Sequence, residues 1–160
     1  MRPGRYFVRT LGCKANVVDG QVIEKGLQER GWTPAGPELH AVLCIINSCT
    51  VTDEADRQSR KLASRMASRN PGACVVITGC AAEVDPERLA RTPGVRYIIG
   101  NSDKPRMLEL LLQALESHAP AKELKSAEIL GQVRGYDEML SRHPMDRDWP
   151  SAEAQFPRGL

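Results

Sequence analysis

Three of the five cysteines in this 160-residue chain stand where their thiolates could share a metal. Cys13 follows the run Tyr6–Thr10, Cys49 follows Val42–Asn47, and Cys80 follows Cys74–Thr78. Each run is apolar and rich in β-branched residues, and each cysteine comes within a few residues of its run's end. If the runs are parallel strands, their carboxyl ends share one edge. Open α/β sheets bind ligands in the crevice at that edge, so thiolates far apart in sequence would converge there. Cys44 and Cys74 differ, because they lie inside the apolar runs, where a thiol packs as a small hydrophobe.

Three converging thiolates leave two metals in play. Structural zinc takes four protein ligands, and His40, His118 and His143 are all placed away from the strand-end loops. A [4Fe–4S] cluster held by three thiolates keeps one iron open, which suits a cluster that takes part in chemistry. Spacing alone does not choose between zinc and iron–sulfur. An odd cysteine count in a reducing compartment favours thiols or metal ligands over disulfides.

The elements that must position these residues alternate. A fourth β-branched run, Val95–Ile99, joins the three above. The runs VLCIIN and CVVIT are almost continuously apolar, as strands of a parallel sheet are when both faces are buried. Helical patterns separate them. Between Asn16 and Arg30, Val18, Val22, Ile23, Gly26 and Leu27 share a face, with Asn16 as N-cap and Gly31 and Pro34 as the stop. From Asp53 to Arg69 the buried side is marked by Ala55, Leu62 and Met66. A short helix is expected over Pro86–Arg91. A stronger one spans Arg106–Glu116, with Met107, Leu108, Leu111, Leu112 and Leu115 as its stripe. This β-α alternation predicts an α/β fold: a small doubly wound, flavodoxin- or Rossmann-like parallel sheet of about four strands with flanking helices.

Composition sets limits. Hydrophobic residues make up 41% of the chain and aromatics 4%, so the core must be aliphatic. The net charge of +2 excludes a global basic field, and any nucleic-acid surface has to be local. No run approaches a membrane span, and the start MRPGRYFVRT lacks the apolar stretch of a signal peptide, so the expected location is cytoplasmic. After Ala119 the chain turns polar. A helix is expected over Glu123–Gln132 and linker or tail elsewhere.

Several residues have two readings. Gly12 and Gly79 precede two of the cysteines, where they would serve positive-φ turns, close approach to a cluster, or both. Asn47 would either satisfy loop backbone or donate to cluster sulfide. Arg57, Arg60, Lys61, Arg65 and Arg69 recur at helical spacing, as a solvated face or as contacts to RNA phosphates.

The segments around the cysteines carry four linked motifs: T-L-G-C-K-A-N-x-x-D at 10–19, I-I-N-S-C-T-V-T-x-x-A-D-x-x-S-R at 45–60, N-P-x-A-x-V-V-I-T-G-C at 70–80, and G-V-x-Y-I-I-G-N at 94–101. In this order and spacing the chain, over about residues 5–115, resembles the N-terminal domain of the methylthiotransferases, a radical S-adenosylmethionine family. The resemblance implies that Cys13, Cys49 and Cys80 bind an auxiliary [4Fe–4S] cluster. It implies that this cluster presents, at its open iron, the sulfur inserted as a methylthio group. The G-C-K-x-N segment is most similar to the branch acting on N6-threonylcarbamoyladenosine at tRNA position 37. Ala81-Ala82-Glu83 depart from the family's frequent Tyr-Ala-Gln.

The resemblance further implies a partner, the tRNA anticodon loop. It also implies a radical domain with S-adenosylmethionine and a second [4Fe–4S] cluster, and a C-terminal RNA-binding domain. No cysteine follows Cys80, so the expectation is a cluster-binding domain over 1–118 and a linker over 119–160 leading to a radical domain outside these residues, catalytically incomplete alone. The rival expectation is a zinc or regulatory iron–sulfur module without transferase activity. A nucleotide-binding Rossmann domain is disfavoured, because L-G-C-K-A-N lacks a Gly-rich phosphate loop.

Overall fold

The computed structural model describes residues 3–12, 14–36, 40–49, 53–117 and 127–132. The two continuously apolar runs become β3 (Leu43–Ser48) and β4 (Cys74–Gly79), and every residue of both is buried. They are flanked by β1 (Arg5–Thr10) and β5 (Tyr97–Gly100), with two short edge strands outside them, β2 (Thr33–Pro34) and β6 (Glu128–Leu130). All pairs are parallel, in the order β2-β1-β3-β4-β5-β6. The sheet has six strands where about four were expected. β2 is too short to leave a pattern, and β6 comes from the segment read as linker.

Helices cover both faces. α1 (Lys14–Glu29) and α5 (Met107–Ser117) pack on one side, around Tyr6, Ile45, Val76, Tyr97 and Ile99. On the other lie α2 (Asp53–Arg69), α3 (Cys80–Val84) and α4 (Pro86–Ala90), around Cys44, Ile46, Val75, Ile77 and Ile98. The sheet is doubly wound, as the alternation predicted. Its order reverses between β1 and β3. That switch point is where this topology opens a crevice at the carboxyl edge.

Two helix expectations are corrected. α1 does not bury Val18 or Val22, which are 58% and 65% exposed; it buries Asn16, Gly20, Ile23 and Leu27. The true stripe was hidden because two of its members are polar or side-chainless. Gly20 is needed there, since a Cβ would stand 2.2 Å from Thr10 Oγ1. The helix expected over 123–132 is replaced, within the described residues, by β6. Its backbone docks through Ala127 N–H to Ala90 O (2.9 Å) and Glu128 N–H to Arg96 O (2.8 Å). The open edge of β5 offers hydrogen bonds that a short polar helix could not match. The stop of α1 is as expected: Gly31 sits at φ +83°, and Trp32 N–H reaches back to Leu27 O at 3.1 Å. Among the described residues no helix is long and apolar enough to cross a membrane.

Candidate cysteine site at the carboxyl edge

The three turns that carry Cys13, Cys49 and Cys80 leave the carboxyl ends of the adjacent strands β1, β3 and β4. Cys13 itself, and residues 50–52, lie outside the described residues. Its neighbour Gly12 does not. Gly12 has φ +107°, and a Cβ there would stand 2.4 Å from Cys49 Cβ and 2.8 Å from Cys49 Sγ. The turn before Cys13 is therefore in contact with Cys49. Gly79, opposite Ser48 in the β3–β4 register, has φ +99°. A Cβ on it would stand 2.3 Å from Ser48 O. The turn before Cys80 is thus pressed against the turn before Cys49. The positive-φ reading of Gly12 and Gly79 holds, and the close approach that each permits is to a neighbouring turn: Cys49 for Gly12 and Ser48 O for Gly79.

Side-chain amides lock the turns. Asn16 lies inside the first turn of α1 rather than capping it. Its Nδ2 donates to Leu11 O (3.0 Å) and Ser48 O (3.1 Å). The amide's N–H groups are thus taken by carbonyls at two strand ends, and its role is to tie the strand ends to α1 rather than to cap the helix. Asn47 Nδ2 in turn donates to Asn16 O (2.9 Å), and Ser48 Oγ to Thr78 O (2.6 Å). Asn47 satisfies backbone, that of the first turn of α1 rather than of a loop. Its Oδ1 is buried with no hydrogen-bond partner among the described residues, and Thr78 Oγ1 is in the same state. At the Cys80 turn, the buried Glu83 carboxylate accepts from Ser102 N–H (3.1 Å) and Ser102 Oγ (2.8 Å), tying α3 to the exit of β5.

The cysteines divide as their positions suggest. Burial pushes the Cys44 thiol up to about 11 and the Cys74 thiol up to about 12, so both stay protonated at neutral pH. Cys49 is 4% exposed and Cys80 is half-buried. Among the described residues no group of three His, Cys, Asp or Glu could hold a metal, a set that does not include Cys13. The donors on hand fit a thiolate-held group. Cys49 Sγ abuts a glycine where any side chain would cover it, and the adjoining strand end holds a buried hydroxyl, Thr78 Oγ1, that has no partner among the described residues and can donate to an anionic group. His40 precedes β3, at the opposite edge; His118 and His143 lie outside the described residues.

The basic stripe is divided too. Arg57, Arg60 and Lys61 line a cavity of about 480 Å³ together with Arg88 and Arg91. Arg65 and Arg69 do not line it. Arg88 and Arg91 went unread in the sequence, although their i, i+3 spacing in P-E-R-L-A-R was a signal for one basic face. Glu54, beside Arg57, has its carboxyl held below the usual range by hydrogen bonds from Gln58 and Arg57.

Residues 5–100 match the family described as Uncharacterized protein family UPF0004. The chain is 36% identical over 133 residues to the threonylcarbamoyladenosine tRNA methylthiotransferase MtaB of Aquifex aeolicus (strain VF5), covering 82% of this chain and 32% of that protein. It is 32% identical over 130 residues to the protein of the same name from Bacillus subtilis (strain 168), covering 81% and 28%. The tRNA-2-methylthio-N(6)-dimethylallyladenosine synthase of Nitratidesulfovibrio vulgaris is 32% identical over 163 residues, covering 99% and 32%. The chain spans about a third of the length of these curated relatives. The resemblance carried by the four motifs is borne out: the chain belongs to protein family UPF0004 and is a homologue of these tRNA methylthiotransferases.

Proposed function

We propose that the chain is the auxiliary cluster-bearing domain of a tRNA methylthiotransferase, with Cys13, Cys49 and Cys80 as the three ligands of a [4Fe–4S] cluster. The observation that carries this reading is the packing of Gly12 on Cys49 Sγ and of Gly79 on Ser48, which joins the three cysteine-bearing turns at one edge. When bound, such a cluster supplies an iron with an open position for the sulfur to be transferred. The protein's part is to present three thiolates from three rigid strand ends. The glycines leave room beside them, and Asn16 and Asn47 hold the turns in register. Cys44 and Cys74, sealed in the two cores inside β3 and β4, are out of reach of a cluster at that edge.

Three further parts belong to the proposal. The substrate is adenosine 37 of tRNA, in the threonylcarbamoyl form, supported by G-C-K-A-N and by the names of the Aquifex and Bacillus relatives. S-adenosylmethionine and the second cluster are assigned to a radical domain outside these 160 residues, since no cysteine follows Cys80. Residues 1–118 form the cluster domain, and 119–160 lead out of it, with β6 as a foothold on the sheet.

The test is anaerobic reconstitution with iron and sulfide, followed by iron and sulfide counts and the absorbance near 400 nm. The expected result is about four irons per chain, lost in Cys13→Ala, Cys49→Ala and Cys80→Ala and retained in Cys44→Ala. Stoichiometric zinc with no uptake of iron–sulfur would instead establish the zinc module.

A further inference from the structure

The cavity between α2 and α4 is a groove with two basic walls. Arg57, Arg60 and Lys61 form one wall, and Arg88 with Arg91 the other; among the described residues no carboxylate lines it. The groove gathers five cations against two adjoining carboxylates, Asp56 and Glu54, the second paired with Arg57 Nε and Nη2, which leaves a local excess of positive charge. The Asp56 side chain, only 16% exposed, joins the walls. Its Oδ2 accepts from Arg60 Nε at 3.0 Å and lies 3.3 Å from Arg88 Nη2. One guanidinium from each wall is thereby fixed, and each has several N–H donors left over. The Arg60, Arg88 and Arg57 side chains remain 34%, 51% and 72% exposed. Fixed, solvent-reachable guanidiniums facing a shared groove are suited to binding phosphate oxygens, and like charges held together gain when an anion enters.

We propose that this groove clamps the phosphodiester backbone of the RNA substrate, without regard to base sequence. The proposal rests on the tRNA reading above. It adds Arg88 and Arg91 to the contact surface and removes Arg65 and Arg69 from it. Contacts of this kind position an RNA without specifying it. The groove would set where the anticodon arm lies, while base recognition comes from elsewhere.

The test uses the full chain and a fluorescein-labelled RNA stem-loop, with anisotropy followed across a salt series. In Arg88→Ala/Arg91→Ala and in Arg57→Gln/Lys61→Gln, affinity at low salt is expected to fall about tenfold. The log–log salt slope should fall by about 0.7–0.9 for each phosphate that is no longer neutralised. Lys25→Gln/Arg30→Gln, on α1 and just past its end, across the sheet, removes the same charge and is expected to change neither. These side chains are at the surface, so matching melting curves establish that the variants are folded. Equal weakening by the α1 pair, an unchanged slope in both groove pairs, or no RNA binding by the parent chain would each overturn the clamp. Displacement of the RNA by polyglutamate at equal charge concentration would also overturn it, in favour of an acidic protein partner. Iron uptake measured on the same proteins separates the two readings. A chain that takes up four irons without binding RNA keeps the cluster and loses the clamp. A chain that binds RNA through the groove without taking up iron does the reverse.

Discussion

β3 and β4 each begin near one cysteine and hand over to another, so the two ends of the same two strands can be compared directly. At the amino-terminal end Cys44 and Cys74 are sealed in opposite cores, 0% and 1% exposed, and burial raises both thiols. At the carboxyl end Cys49 and Cys80 adjoin turns built on positive-φ glycines, crossed by asparagine amides, with two buried polar atoms unpartnered among the described residues. The residue type is the same. The difference lies in what surrounds it: apolar side chains filling all space at one end, and backbone brought close by the removal of side chains at the other. Packing quality alone would not produce the second arrangement, which gives up hydrogen bonds and conformational entropy.

The sharpest way to break this comparison is to add a methyl group at the carboxyl end. Gly79→Ala puts a Cβ 2.3 Å from Ser48 O, a backbone atom within the central ladder, at a φ that L-residues avoid. The expected cost is about 4 kcal/mol, a large part of a domain's stability. Gly72→Ala is the control. It has φ +84° but nothing within 4 Å of the new Cβ, so it should cost only the conformational penalty of about 1 kcal/mol. Urea denaturation measures both. Equal losses would mean that the close approach of the turns contributes nothing beyond the left-handed backbone.

Much of this architecture was legible in the sequence, for identifiable reasons. Runs such as Val42–Asn47 and Cys74–Thr78 have only one way to bury both faces, and a cysteine just past a strand end has a fixed destination in a parallel sheet. What was not legible depended on partners distant in sequence. Asn16 reads as a cap until Leu11 O and Ser48 O are seen to reach it. Val18 and Val22 read as core until Gly20 is found against Thr10. β6 has three residues, and its pairing with β5 is anchored by Asp103, whose carboxylate accepts from Gln132 N–H and Arg106 Nε. No local pattern encodes that latch. Glu83 likewise sits where the family resemblance suggested a departure, and only the structure gives its role in tying α3 to Ser102.

The amino-terminal end of the comparison is tested by pH. Cys44 and Cys74 have folded values raised to about 11 and about 12 from an ordinary 9.0. A raised value means the unfolded chain loses its proton first. The stability these thiols contribute is therefore complete below pH 9 and is lost as pH rises toward 11 and 12. For Cys44 the loss amounts to about 2–3 kcal/mol by pH 11. Cys44→Ala should remove that share, leaving a shallower alkaline decline in stability between pH 8 and 11. If the parent chain and Cys44→Ala decline in parallel, the sealed thiol is not coupled to folding.

A smaller effect distinguishes the two ends within one variant. Asn16→Ala removes both amide bonds to Leu11 O and Ser48 O, and withdraws the support under the Cys49 turn. Removing two hydrogen bonds costs about 2 kcal/mol, and alanine's better helix propensity returns about 0.5 kcal/mol inside α1. The net loss should thus be about 1.5 kcal/mol, less than the glycine substitution causes. Its distribution is more informative than its size. Asn16 touches only the carboxyl edge, so local opening there should become more frequent while the strand interiors stay closed. Iodoacetamide labelling of the metal-free chain, read by mass spectrometry, should show Cys49 reacting several-fold faster in Asn16→Ala. Cys44 and Cys74 should remain unlabelled at the parent rate. Faster labelling of all these thiols together would mean that the edge and the core open as one unit, and that the carboxyl end is not a separable site.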